Sequence, residues 1–171
     1  MPIETIPPPG PLSRLGLFLA AGLGLGFLPK APGTAGTLLG VFIESLLWTA
    51  LPPSRYFWGL AGTFLCLCLM SLALLPLARR SLASQDPKAF VLDEVSGYLV
   101  IPLVFGGTGP SLLRVAWGFC LFRAFDILKP FPVGWVDKTL KNSVGVLLDD
   151  LLSGLLACLV LGLMKALGPS F

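Results

Sequence analysis

Carboxylates lie beside apolar residues at three places in this chain. Asp93-Glu94 stands in VLDEVSGYLV, Asp126 in FRAFDILKPFP and Asp149-Asp150 in VLLDDLLSGLL, and the sequence contains no histidine. An ionised carboxylate beside hydrocarbon is costly unless a cation compensates it, so acids in such positions indicate function. Carboxylate oxygens without histidine or a cysteine cluster suit Mg²⁺, Mn²⁺ or Ca²⁺ better than Zn²⁺ or Cu²⁺. The pattern predicts a hard-cation site at a membrane.

Each acidic motif also has an ordinary structural explanation. Asp149-Asp150 could complement a helix N-terminus, Asp93-Glu94 could form interfacial salt bridges, and Asp126 could form an i,i+3 ion pair with Arg123. The three motifs together are harder to explain in this way. The missing histidine excludes Ser-His and phosphohistidine mechanisms, and no D-x-D pair of an aspartyl-phosphate enzyme occurs. Metal-activated water remains as the chemistry that the residues allow.

Composition indicates an integral membrane protein. Of 171 residues, 55% are hydrophobic and 12% are charged, which predicts one domain embedded in lipid. Residues 1–12 are expected to form a disordered, Pro-rich lead-in and residues 13–171 a single helical domain. The net charge of +3 is spread along the chain, which argues against a nucleic-acid partner and favours anionic lipid. The sequence leaves the oligomeric state open.

The apolar segments predict an all-α bundle of about four to six helices. They cover residues 13–27, 38–51, 56–78, 91–105, 112–128 and 146–167, with loops at LPKAPGTAGT, GGTGP and KPFPVGWVDKTLKNSVG. The loop LPKAPGTAGT could offer backbone N–H groups to an anion or could simply break the helix. Lys30 and Lys129 could neutralise phosphate or snorkel to headgroups. Glu44, alone in an apolar helix, could pair with Arg114 or make another polar contact.

The segments near 38–51, 56–78, 91–105, 112–128 and 148–167 are expected to cross the bilayer. With the Lys30 loop in the cytoplasm, only Arg55, Arg114 and Lys165 of the basic residues fall away from that side, as the positive-inside rule requires. The same topology brings all three acidic motifs to the cytoplasmic face. The crossing at 91–105 is shorter than the roughly 20 residues that a span needs, so tilting or burial inside the bundle is expected there.

Three longer motifs carry a resemblance to a known family. LPKAPGTAGTLLG, VLDEVSGYLV and FRAFDILKPFPVGWVDKTLKNSVGVLLDDLLSG, in this order and spacing, resemble the phosphatidylglycerophosphatase A family of bacterial membrane phospholipid phosphatases. The likeness covers residues from about Gly22 to Gly154. One departure is that Asn142-Ser143 stand where the family usually has paired glycines.

The resemblance implies Mg²⁺-dependent removal of the terminal phosphate of phosphatidylglycerophosphate at the cytoplasmic face of a bacterial inner membrane. We expect Asp93, Glu94, Asp126, Asp149 and Asp150 to hold one or two Mg²⁺ ions and to carry the catalysis. We further expect the substrate phosphate to be bound by Lys30, Thr34, Arg123 and Lys129. The alternatives are a CDP-alcohol phosphatidyltransferase, whose D-G-x-x-A-R run is missing, and a non-enzymatic ion-coupled carrier. Acids at mid-helix would favour the carrier, whereas acids at helix ends, where we expect them, favour phosphate chemistry.

Overall fold

The computed structural model describes residues 10–85, 87–105 and 109–168, and every regular element among them is helical. The elements are α1 (Pro11–Ala20), α2 (Pro32–Ala50), α3 (Pro53–Ser81), α4 (Leu92–Val104), α5 (Leu112–Leu128), α6 (Val133–Thr139) and α7 (Ser143–Leu167), with a short 3₁₀ turn at Leu25–Phe27. This confirms the predicted all-α class. Most of the predicted lead-in lies outside the described residues, but Pro11 and Leu12 already belong to α1.

The helix predicted over residues 13–27 is wrong in its second half. α1 ends at Ala20, and Gly22, Leu23 and Gly24 then have φ angles of 54°, 60° and 93°. Residues in this left-handed region cannot continue a right-handed helix. The described part of the chain holds seven α-helices rather than the predicted four to six, because α1 and α6 are separate short pieces.

The loop predicted at LPKAPGTAGT is also wrong for most of its length. α2 begins at Pro32, where a proline is tolerated because the first N–H of a helix has no partner within it. The glycines that follow serve packing, since a Cβ on Gly36 would lie 2.8 Å from Val91 Cβ and one on Gly40 would lie 2.9 Å from Tyr98 Cδ1. They therefore bring α2 against α4.

Three helices, α2, α3 and α7, are long and apolar enough to cross a membrane. They contain 19, 29 and 25 residues. α4 has 13 residues, a length of about 20 Å, and α5 has 17, a length of about 26 Å, against a hydrocarbon core of about 30 Å. Length therefore supports three of the five predicted crossings. Ten of the residues of α4 are buried, so this helix packs inside the bundle, as its shortness suggested.

Close packing of α4 against α7 brings two of the acidic motifs together. A Cβ on Gly97 of α4 would lie 2.8 Å from the carbonyl oxygen and 2.9 Å from the Cβ of Asp150. A Cβ on Gly154 of α7 would collide with the Gly97 carbonyl oxygen. Only glycines at these two positions let the backbones approach so closely, and the approach sets Asp150 beside the beginning of α4.

Candidate active site

All five predicted catalytic carboxylates line one cavity of about 500 Å³. It lies where α3 and α5 end and where α4 and α7 begin. Its lining comprises Arg79, Gln85, Asp93, Glu94, Asp126, Lys129, Asp137, Leu140, Lys141, Gly145, Val146, Asp149 and Asp150. The predicted convergence of three acidic motifs at one end of the bundle is thus present in the fold.

Asp93 and Glu94 lie in the first turn of α4, where the positive end of the helix dipole favours a negative charge. The backbone N–H of Glu94 donates to Asp93 Oδ1 at 3.1 Å. Asp93 is 7% exposed, and the buried Oε2 atom of Glu94 has no hydrogen-bond partner among the described residues. Glu94 therefore brings to the cavity an acceptor oxygen that the described part of the chain leaves unsatisfied.

Asp149 and Asp150 lie two turns inside α7, which corrects the expectation that they stand at a helix end. The helix begins earlier than predicted because the Asn142 side chain accepts a hydrogen bond at 2.9 Å from the Gly145 N–H and caps it. Asn142, which departs from the paired glycines of the resemblance, thus has a structural role here. The Asp149 and Asp150 side chains are both buried, and Asp150 Oδ1 has no hydrogen-bond partner among the described residues.

Lys129 links two carboxylates across the cavity. It follows α5 with a left-handed backbone (φ 45°), and its Nζ donates to Asp137 Oδ1 and to Asp149 Oδ2, each at 2.7 Å. Burial alone would lower the pKa of Lys129, but the two hydrogen bonds and the charges of these acids raise it above its ordinary value. The hydrogen bond from Lys129 likewise lowers the pKa of Asp137, against the effect of burial. Lys129 and Asp137 therefore both stay charged at neutral pH.

Arg123 holds the third acidic motif. Its Nη1 donates to Asp126 Oδ2 at 2.6 Å, the i,i+3 ion pair that the sequence offered as an ordinary explanation. A Cβ on Gly33 of α2 would lie 3.0 Å from Arg123 Nη1 and would collide with Glu94 Oε1. A glycine at this position thus lets Arg123 and Glu94 meet the start of α2, beside the cavity.

Only one of the four predicted phosphate-binding residues lines the cavity. Lys129 lines the cavity, whereas Lys30, Thr34 and Arg123 are not among its lining residues. Lys30 is exposed just before α2, and Thr34 lies in the first turn of that helix, at the same end of the bundle as the cavity. Roles for these three residues stay predictions.

Sequence reasoning missed several residues of the cavity wall, above all Asp137, Lys141 and Arg79. Asp137 lies on α6, inside a stretch that was predicted to be a loop. Its position eight residues after Lys129, within the quoted KPFPVGWVDK motif, is the signal that could have found it. Arg79 and Lys141 were counted only among the basic residues expected on the cytoplasmic side.

A second buried polar cluster lies away from the cavity. Glu44 of α2 pairs with Arg114 of α5 and accepts a hydrogen bond at 2.8 Å from the Tyr98 hydroxyl of α4. The exposed fractions of the Glu44 and Arg114 side chains are 0% and 3%. Of the two explanations that the sequence left open for Glu44, the ion pair with Arg114 is confirmed.

The cavity contains carboxylate oxygens that could bind a cation, but they are not arranged as a complete set of metal ligands. Among the described residues, no group of three acidic or cysteine side chains is already arranged to hold a metal ion. Glu94 and Asp150, whose unpartnered oxygens are buried, nevertheless line the same cavity, and no salt bridge reaches Asp93, Glu94 or Asp150 from the described residues. Carboxylate oxygens of this kind fit a hard divalent cation.

Fold and cavity together define a helical membrane protein with an acidic site at one end of its bundle. Comparison with known proteins gives the family, since the sequence model of phosphatidylglycerophosphatase A matches residues 18–165. The chain therefore belongs to the phosphatidylglycerophosphatase A family and is a lipid phosphatase, as the resemblance indicated. No solved structure matches the chain with statistical significance.

Individual relatives agree over most of their length. The chain is 34% identical to phosphatidylglycerophosphatase A of Haemophilus influenzae, covering 88% of this chain and 91% of the relative. It is 28% identical to phosphatidylglycerophosphatase A of Escherichia coli K12, covering 84% and 79%. It is also 33% identical, covering 90% and 95%, to a Bacteroides thetaiotaomicron protein that is provisionally named a phosphatidylinositol-3-phosphatase.

Proposed function

We propose that this protein hydrolyses the terminal phosphomonoester of phosphatidylglycerophosphate in a Mg²⁺-dependent reaction and releases phosphatidylglycerol and phosphate. Membership of the phosphatidylglycerophosphatase A family supports the substrate. The observation that carries the proposal is the convergence of three acidic motifs from α4, α5 and α7 on one cavity, with buried carboxylate oxygens that lack partners among the described residues. Structural ion pairs would not leave such oxygens unsatisfied.

One or two Mg²⁺ ions would be held by the five carboxylates Asp93, Glu94, Asp126, Asp149 and Asp150. When bound, Mg²⁺ would neutralise charge on the phosphomonoester and lower the pKa of the attacking water. The unpartnered oxygens of Glu94 and Asp150 are free to serve as ligands without first breaking a salt bridge. Asp126 and Asp149 are already fixed in orientation by Arg123 and Lys129.

Lys129 is placed to contact the phosphoryl group of the substrate. Lys129 stands on the cavity wall as a charged amine with three donors, of which two are used on Asp137 and Asp149. Its remaining donor can contact a phosphoryl oxygen, so that positive charge faces the oxygens where negative charge accumulates during transfer. Phosphate leaves to water, whereas the lipid product moves sideways into the bilayer from the apolar flank of the bundle.

The site is proposed to face the cytoplasm in a bacterial inner membrane. The cavity lies at the end of the bundle that carries Arg79, Lys129 and Lys141, and basic residues accumulate on the cytoplasmic side of membrane proteins. Lys30, which is exposed before α2, lies at this same end. Maleimide labelling of single cysteines at the two ends of α3 tests this orientation.

The test is phosphate release from phosphatidylglycerophosphate by the purified full chain in detergent, with Mg²⁺ and with EDTA. Release that requires Mg²⁺ is expected, and no release under either condition would refute the proposal. Phosphatidylinositol 3-phosphate belongs in the same experiment because of the Bacteroides thetaiotaomicron relative. That lipid also carries a phosphomonoester on a polyol headgroup. Faster phosphate release from it would change the proposed headgroup of the substrate but not the proposed phosphomonoester hydrolysis.

A further inference from the structure

Arg79 occupies the wall between two cavities. It lies in the last turn of α3, lines the acidic cavity, and also lines a neighbouring cavity of about 440 Å³. The neighbouring cavity is formed by Pro76, Arg79, Arg80, Ala83, Ser84 and Gln85. Because α3 is long and apolar enough to span a membrane, its end lies at the depth of lipid headgroups. The two cavities share Arg79 and Gln85 and therefore adjoin each other at this end of the bundle.

The guanidinium of Arg79 is oriented by the protein but is not neutralised by any of the described residues. Its Nε donates to the Gln85 carbonyl oxygen at 2.7 Å, and no carboxylate of the described residues forms a salt bridge with it. The other two cations on the acidic cavity differ, since Lys129 is paired with Asp137 and Asp149, and Lys141 Nζ lies 4.0 Å from Asp137 Oδ2. Among the described residues, Arg79 is therefore the lining cation without a carboxylate partner, which leaves its charge to an anion from outside.

A lipid with a phosphorylated headgroup carries two phosphates of different kinds. The phosphomonoester is removed, whereas the phosphodiester that joins the headgroup to diacylglycerol stays with the product. The carboxylates and Lys129 belong to the monoester, so the diester would lie one headgroup away, beside Arg79, which lines both cavities. A planar guanidinium matches two oxygens of a phosphate and is weakly hydrated, which suits it to this depth.

We propose that Arg79 binds the phosphodiester of the lipid substrate and thereby selects phosphomonoesters that sit on a headgroup rather than directly on diacylglycerol. This inference rests on the proposed function. It assigns a recognition residue that does not touch the reacting phosphorus. The neighbouring cavity gives room for the diester and for the first part of the glycerol backbone.

The experiment uses the full chain in detergent with Mg²⁺ and compares Arg79→Gln with Arg79→Lys and Lys88→Gln. Lys88 is the control for a loss of positive charge, because it is exposed between α3 and α4 but lines neither of the two cavities. For each protein, KM for phosphatidylglycerophosphate is measured together with inhibition constants for phosphatidylglycerol, which has only the diester, and for inorganic phosphate.

Arg79→Gln should raise KM and the inhibition constant of phosphatidylglycerol about 10- to 100-fold, the loss expected for one charge-assisted hydrogen bond. The inhibition constant of inorganic phosphate should stay unchanged, Arg79→Lys should restore part of the affinity, and Lys88→Gln should act like wild type. Equal losses in Arg79→Gln and Lys88→Gln would overturn the inference in favour of general interfacial charge. A parallel rise for inorganic phosphate would place Arg79 at the monoester instead.

The proposed function and this inference fail in distinguishable ways. If the wild type releases phosphate but Arg79→Gln keeps its KM and its affinity for phosphatidylglycerol, only the inference is refuted. If the wild type releases no phosphate, the proposed function is refuted, and direct titration of phosphatidylglycerol into wild type and Arg79→Gln decides the inference. Weaker binding by the variant alone would support it, and equal binding would overturn it.

Discussion

Asp149 and Asp150 are adjacent and equally buried, yet their replacement by asparagine should change stability in opposite directions. Asp149→Asn loses the charge-assisted hydrogen bond of 2.7 Å from Lys129 at a side chain that is 7% exposed. This should lower the free energy of unfolding by about 2 kcal/mol. Asp150 has no salt-bridge partner among the described residues, and its Oδ1 has no hydrogen bond there. Removing its charge should raise the free energy of unfolding of the metal-free protein by about 1 kcal/mol.

Both variants should lose Mg²⁺-dependent phosphate release, because an amide takes negative charge from the proposed cation site at nearly constant volume. The assay pairs phosphate release with unfolding in detergent, measured in EDTA and in Mg²⁺. Mg²⁺ at about 100 times its dissociation constant should stabilise the wild type by about 2.7 kcal/mol and should stabilise neither variant. Stability thus gives a readout of cation binding that does not depend on turnover.

Asp137→Asn is the control for the ion pair. Asp137 accepts the other hydrogen bond from Lys129, but its side chain is 35% exposed, so its loss should cost about 1 kcal/mol or less after solvent screening. If Asp150→Asn destabilises the metal-free protein as much as Asp149→Asn does, Asp150 has a structural partner and the reasoning is refuted. If either of the two variants retains most of its activity, the assigned role in cation binding is wrong.

Three further perturbations test other parts of the molecule. Lys129→Ala should lower phosphatidylglycerophosphate hydrolysis by about 10²-fold, close to 3 kcal/mol, because one transition-state charge contact is lost; unchanged turnover would reassign Lys129 to a structural ion pair. Glu44→Gln should destabilise the protein by about 3 kcal/mol, because it leaves Arg114 buried without its counter-charge, and retained thermal stability would contradict this. In a cysteine-free background, single cysteines at Ser84 and Ser54 should react with an impermeant maleimide from the cytoplasmic and the opposite side respectively. Labelling of both from one side would show that α3 does not cross.

The convergence of the acidic motifs could be predicted from the sequence because it follows from helix direction. Successive helices of a bundle alternate in direction, so acids at the start of one helix and at the end of the next meet at the same end. Asp93 and Asp126 obey this rule without any knowledge of packing. Asp137 could not be found in this way, because the seven-residue α6 follows Pro132 and is too short to show a helical period.

The predicted helix boundaries are wrong where glycine can either end a helix or let two helices pack closely. In the sequence, the glycines at positions 33 and 36 are typical of a loop that interrupts a helix, yet they lie in the first turns of α2. What decides their role is the neighbouring helix, since Gly36 faces Val91 and Gly33 faces Glu94 and Arg123. A single sequence gives no information on which helix will approach. The same limit hid the close contact of α4 with α7 at Gly97.

The net charge of the cavity lining affects how it can bind an anionic substrate. Six carboxylates and three cations line it, which leaves three formal negative charges when all groups are ionised. A doubly charged phosphomonoester would be repelled by such a wall, which supports the proposal that a divalent cation takes part in substrate binding together with Lys129. Lys129 and Arg123 hold Asp149 and Asp126 in place, whereas no salt bridge from the described residues reaches Arg79. Orientation of the ligands and recognition of the lipid are thus assigned to different cations.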